Sequence, residues 1–198
     1  MGRLAIFVDG GYVDRLAEDE FGIRCDYGKL SETITQEIRS RSLEPIDRLR
    51  TFYYHCLPYQ SATPTLEEAC RYGQAQRFYQ VLGRLPKFEV RLGRLAFRGV
   101  DGSGNPIFQQ KRVDLLLGLD FALLAGKQQI SHAAVVSGDS DLIPALEVAK
   151  REGISVWLVH GPRRSRRNGM PTFASELWDT ADERLEFDSA LAAAVKRP

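Results

Sequence analysis

The chain has 198 residues, 43% hydrophobic and 27% charged, a globular composition long enough for one domain with a sizeable core. Its 27 basic and 26 acidic residues leave a net charge of +1, so contact with a polyanion has to come from a local patch. Cys25, Cys56 and Cys70 are odd in number and lack paired spacing, which argues against a disulfide framework or a zinc site and fits a reducing cytoplasm.

In chain order, residues 4–8 form a continuous apolar run, too short for a signal peptide or membrane span and suited to a central strand of a parallel sheet. The run ends at Asp9-Gly10-Gly11-Tyr12, where the glycines let the backbone turn sharply. Asp9 reads equally as a cap for a helix starting near Val13 or as a site carboxylate. Residues 13–46 predict one or two helices broken near 22–26, and residues 48–56 a second strand. A Pro-containing connection leads to a helix over 66–85, with Phe78, Leu82 and Leu85 on its packing face. Arg71, Tyr72, Gln76 and Arg77 share that segment; a solvated helix face is a simpler reading for them than a base-stacking surface. Residues 88–97 alternate as a third strand, 101–105 make a turn and 106–109 a short return, giving a hairpin-like excursion.

Lys111-Arg-Val-Asp114 then leads into an apolar helix over 115–125. A right-handed crossover puts the start of that helix at the carboxyl edge of the sheet, so Asp114 falls at the same edge as Asp9. An N-cap role is the alternative for Asp114. Asp120, six residues on, is about 9 Å further down the axis and on a different side. Residues 133–136 predict a strand ending at Ser137-Gly138, followed by Asp139 and Asp141. Leu142, Leu146 and Ala149 continue at helical spacing, with Pro144 in the first turn and Gly153 as the stop. Two carboxylates this close repel each other unless a cation lies between them or one is protonated. Hard divalent ions take oxygen ligands of this kind and keep several waters.

Residues 154–159 predict a fifth strand ending at His160-Gly161-Pro162. Arg163, Arg164, Arg166 and Arg167 follow in a loop at the same edge. Such a run is ordinarily a solvated, mobile loop; beside a carboxylate cluster it is placed to grip phosphates. Residues 173–188 predict a closing helix or a short edge strand, and the Ala-rich tail 189–198 is expected to fray. His55, His132 and His160 show no ligand spacing.

Three motifs therefore stand in order: Phe7-Val-Asp-Gly-Gly-Tyr12, Lys111-Arg-Val-Asp114 with Asp120, and Ser137-Gly-Asp-Ser-Asp-Leu142. Together they resemble the NYN domain, in its LabA-like (DUF88) branch, within the PIN-like nuclease superfamily. Leu92-Gly-Arg-Leu95 and Glu176-Leu-Trp-Asp-Thr-Ala-Asp182 extend the likeness, which runs over about residues 3–188. The resemblance implies an α/β, Rossmann-like fold with a mainly parallel sheet of order 3-2-1-4-5 flanked by helices. It also implies one NYN domain over 1–188 and a tail over 189–198. Asp9, Asp114 and Asp139 are expected to hold Mg²⁺ or Mn²⁺, with Asp141 completing the set and Asp120 a weaker member. Lys111, Tyr12, Ser137 and the four loop arginines are expected on the substrate side; many family members carry Asn at the Tyr12 position.

The expected activity is metal-dependent hydrolysis of phosphodiester bonds, on single-stranded RNA first and single-stranded DNA second. The expected setting is cytoplasmic, without a membrane, and open to homo-oligomerisation. A non-cleaving RNA- or partner-binding module is the alternative, and the complete aspartate set argues against it. A phosphatase with an aspartyl nucleophile would want Asp-x-Asp directly after the first strand, where Asp9 is followed by two glycines. A Toprim-like site would want a glutamate there.

Overall fold

The structure, a computed structural model, describes residues 1–103 and 106–197, leaving aside the side chains of Pro106 and Gln110. Of the expected turn at 101–105, Gly104 and Asn105 lie outside the described residues. Strand β1 (Gly2–Asp9) occupies the middle of a seven-stranded sheet. Its residues alternate between two cores: Leu4, Ile6 and Val8 face one apolar cluster, Ala5 and Phe7 the other. Burial on both sides explains why the run is continuously apolar rather than alternating.

Helices α1 (Gly10–Phe21) and α2 (Tyr27–Arg41) follow, separated at Gly22, whose φ of 60° closes α1 in a left-handed cap. They lead to β2 (Ile46–Cys56), parallel to β1. Helix α3 (Leu66–Leu82) opens with a reciprocal Thr65–Glu68 capping box, which explains its sharp start. Strand β3 (Phe88–Val100) pairs with β2 in parallel through Gly93 and then with β4 (Pro106–Lys111) antiparallel from Arg94 onward. The expected hairpin is thus the outer edge of the main sheet.

Helix α4 (Val113–Gly126) crosses back to β5 (His132–Val136), which pairs in parallel with β1. A 3-10 turn over Ser140–Leu142 leads into α5 (Ile143–Arg151), with Pro144 in its first turn as expected. The chain continues through β6 (Ser155–His160), α6 (Ser175–Thr180) and β7 (Glu183–Glu186). The sheet order is β4-β3-β2-β1-β5-β6-β7. Its five central strands keep the expected 3-2-1-4-5 order; β4 and β7 are added at the two edges. Residues 173–188, expected as a helix or a strand, contain one of each.

The tail does not fray. Residues Ser189–Val195 form helix α7, capped by the Asp188 carboxylate, which accepts from the Leu191 N–H at 2.8 Å. Leu191, Ala192 and Val195 are buried in the cluster shared with α1 and α2. Alanine favours helix, and here an apolar face has somewhere to go. Helices α1, α2, α3 and α7 cover one face of the sheet and α4, α5 and α6 the other. Among the described residues, no helix is long and apolar enough to cross a membrane.

Candidate active site

Because β1 sends its chain to β2 on one side and lies against β5 on the other, the carboxyl ends of β1 and β5 flank a switch in strand order, where open α/β sheets form clefts. Asp9 closes β1, and Val8 pairs with Val136, so Asp9 and the Ser137-Gly138-Asp139 turn leave the sheet side by side. Asp9 is both cap and site residue: its Oδ1 accepts the Tyr12 N–H at 3.1 Å, fixing the carboxyl at the mouth of α1. Asp139 accepts the Asp141 N–H at 2.9 Å and so caps the 3-10 turn that carries Asp141 outward.

Asp114 arrives from the opposite layer. It is not the N-cap of α4; Arg112 holds that position with φ 73°, and Asp114 lies in the first turn. The approach depends on Gly93, where a Cβ would stand 2.6 Å from the Lys111 carbonyl oxygen and 2.7 Å from Val113 Cγ2. The glycine of the Leu92–Leu95 motif therefore lets the β4–α4 corner lie flat against β3.

Charge couples these groups. Burial raises the proton affinity of Asp114 first, and the carboxylates of Asp139 and Asp141 raise it further. Burial likewise raises Asp9; the Tyr12 N–H and Arg15 oppose this, and Asp114 adds to it. All four side chains offer hard oxygen donors, the set that Mg²⁺ or Mn²⁺ prefers, and a cation would relieve their mutual repulsion. Among the described residues no three acidic, His or Cys side chains converge tightly enough to enclose an ion by themselves.

Asp120 stands apart. It accepts the Tyr54 hydroxyl at 3.0 Å and lies 3.2 Å from Arg91 Nε, in a separate cleft with Arg50 and Glu89. Six residues of helix carry it down the axis and away from the strand ends, toward Tyr54 of β2 and Arg91 of β3. Tyr12 is also drawn inward: it is 7% exposed, and its hydroxyl accepts the Gly161 N–H at 2.9 Å. Ser137 is fully buried and accepts the Asp139 N–H at 3.2 Å. Lys111 is exposed at the end of β4.

The arginine loop is tied down rather than mobile, and its four side chains divide. The Glu20 carboxylate, 8% exposed on α1, accepts the Ser165 hydroxyl and, at 2.7 Å, the Arg166 N–H. Arg167 pairs with Asp19, and Arg166 lies over the Phe21 ring at 5.7 Å. Arg163 and Arg164 instead face the side of Ser140, between Asp139 and Asp141. Gly138 matters here too. A Cβ on it would meet the Thr172 carbonyl oxygen at 2.5 Å and the Tyr12 ring at 2.7 Å, and its own carbonyl accepts the Ala174 N–H at 3.0 Å.

Two further neighbours join the site. His55, one residue past the Tyr54 that pairs with Asp9, reaches Asp14 at 3.4 Å through Nε2. Burial pushes its pKa down, but Asp14, the Cys56 backbone and Asp9 outweigh that and raise it. Applying the strand-end rule to β2 as well as to β1 would have pointed to it. Glu20 could not have been found, since its partner Ser165 lies 145 residues away.

A mainly parallel α/β sheet with acidic side chains gathered at one carboxyl pole is the architecture of the PIN-like nuclease superfamily. The NYN domain model matches residues 3–186, and the chain belongs to the NYN domain family. The uncharacterized protein y4oD of Sinorhizobium fredii (strain NBRC 101917 / NGR234) is 35% identical over 95 residues, 48% of this chain and 39% of that protein. The chain therefore spans about two fifths of that relative's length.

Proposed function

We propose that the protein is a Mg²⁺- or Mn²⁺-dependent ribonuclease of the LabA-like branch that hydrolyses phosphodiester bonds in single-stranded RNA. The observation that carries this reading is the meeting of Asp9, Asp114 and the Asp139–Asp141 turn, from three elements, with the Asp114 charge raising the proton affinity of Asp9 and the Asp139 and Asp141 charges raising that of Asp114. Structural carboxylates are normally neutralised by a cationic neighbour, whereas here the neighbours of Asp114 that raise it are acids. Bound at this pole, the ion supplies Lewis acidity toward a phosphoryl oxygen and a more acidic water.

The chain's own groups do the rest. Asp9 and Asp139, each pinned by a backbone N–H, present fixed oxygens. Asp114 and Asp141 complete the donor set from the rim. Arg163 and Arg164 hold the flanking backbone, and Lys111 stands at the hairpin side. The three free cysteines suit a reducing cytoplasm.

The test is cleavage of end-labelled single-stranded RNA and DNA by the full chain with Mn²⁺ or Mg²⁺, beside EDTA and Asp139→Asn controls. Cutting of RNA that both controls abolish is expected. Equal cutting by wild type and variant would assign the activity to a contaminant and defeat the reading. A non-cleaving RNA-binding module is the second reading, favoured by the spacing that keeps any three of these ligands from converging. It takes over if RNA is bound and never cut.

A further inference from the structure

Beside the carboxylates, the segment between β6 and α6 builds a groove of about 770 Å³ whose lining includes Ser140, Arg163, Arg164, Phe173, Trp178 and Glu176. Ser140 lies between Asp139 and Asp141, so the groove opens directly next to the acidic pole. Its two aromatic rings are held in place. Arg184 supports Trp178, with its guanidinium 4.3 Å from the ring centroid and donating to the Trp178 carbonyl at 3.0 and 2.7 Å. Phe173 packs on the His160 ring at 4.6 Å and is fixed in the crossing over Gly138.

The cations are disposed differently from their two neighbours in the loop. Arg163 lies 5.2 Å from the Trp178 ring and has no hydrogen-bond or ion-pair partner among the described residues. Among the described residues Arg164 donates only to the Gly169 carbonyl, at 3.0 Å. Rigid rings beside uncompensated guanidinium groups match a base and its phosphate, because every base has a face to stack and every link has a charge to neutralise.

We infer that this groove is the subsite for one unpaired nucleotide next to the reacting phosphate, its base stacked against Trp178 and Phe173 and its phosphate held by Arg163 and Arg164. The inference rests on the nucleic-acid reading above and names the strand it takes: a duplex keeps its base faces stacked inside, so only an unpaired stretch fits. Glu176 and Asp179, also in the lining, accept hydrogen bonds, so a base with an exocyclic amino group suits the groove better than uracil.

Tryptophan emission provides a test independent of cutting. Of the two tryptophans, Trp157 is 3% exposed in the sheet, leaving Trp178 as the one a ligand can quench. The full chain in EDTA is titrated with single-stranded RNA of roughly 10 nucleotides, with the same sequence as a duplex, and with oligo(C) against oligo(U). Saturable quenching by the single strand, weak quenching by the duplex, and tighter oligo(C) than oligo(U) are expected. Binding followed by anisotropy of labelled RNA should weaken roughly fivefold to a hundredfold in Trp178→Ala, and by far less in Trp178→Phe, which keeps a ring should the alanine variant misfold. The double variant Arg163→Ala/Arg164→Ala should weaken it at least tenfold. RNA binding with unchanged emission and an undiminished double variant overturns the groove, and the nuclease reading survives if that protein still cuts with Mn²⁺. Quenching and arginine dependence without any cutting uphold the groove and overturn the hydrolytic reading. No binding of any strand overturns the groove outright.

Discussion

A carboxylate with a higher proton affinity folded than unfolded works against the fold once it ionises, and Asp9 and Asp114 both stand in that position. Their sign is fixed: their contribution to stability is most favourable below the ordinary value of 3.8 and falls as pH rises from there through the raised folded values. Asp114→Asn should therefore flatten that fall and raise the melting temperature in EDTA by roughly 1–3 °C, while abolishing RNA cleavage. Melts from about pH 4 to about pH 7 check it; added Mg²⁺ should stabilise wild type more than the variant. His55 carries the opposite sign. Its stabilisation by Asp14 is full below 6.5 and is lost as pH rises through its raised value, so His55→Gln should destabilise the protein at acidic pH, with the deficit closing at alkaline pH. Asp14 is half exposed, so the effect should stay under about 1 kcal/mol. At this scale the sequence revealed residues whose position follows from a strand end, namely Asp9, Asp139 and Asp141. Helix geometry also set Asp120 down the axis from Asp114, while the Tyr54 and Arg91 that engage its carboxylate lie beyond what the motif's spacing can show. The reach of the Tyr12 ring into the Gly161 turn is a tertiary fact that no local pattern carries.

Among the elements, two glycines set how closely the layers approach. Gly93→Ala would drive a methyl into the Lys111 carbonyl and Val113, shifting the start of α4 and with it Asp114. Gly138→Ala would press on Thr172, Tyr12 and Phe173, displacing the groove's wall. Each substitution should cost about 1–3 kcal/mol by overpacking, lowering the melting temperature by roughly 2–10 °C, and should reduce RNA cleavage well beyond what the lost folded fraction explains. Full cleavage by either folded variant would show that the close approach does not position the site. The parallel strands were legible because burial on both faces forces continuous apolar runs; β1 and β5 show this most plainly. Helix α4 was half legible. It is apolar all round, so its period could not show which side packs, and Leu115, Leu119 and Leu123 turn out to be 63%, 53% and 53% exposed. The tail's helix was missed because its apolar face makes sense only once the groove beside α1 and α2 exists.

For the molecule as a whole, a net charge of +1 conceals a local grouping, with Arg163 and Arg164 lining a groove that reaches Ser140, between Asp139 and Asp141. The number of arginines facing the groove fixes how salt affects binding. If Arg163 and Arg164 touch phosphate while Arg166 and Arg167 stay on α1, removing the first pair should reduce the salt slope of RNA binding by about 1.4, from about 0.7 per contact on a single strand. Removing the second pair should leave the slope almost unchanged; titrations in EDTA at several salt concentrations separate the two. The same division bears on the timing of encounter. The loop between β6 and α6 is fastened at Gly161 by Tyr12, at Ser165 and Arg166 by Glu20, and at Ala174 by Gly138. A segment fastened three times has little freedom left to lose, so a strand meets a surface already shaped for it, and association should follow a single fast phase with no slower ordering step. Glu20→Gln, by loosening the middle fastening, should bring that slower phase into view.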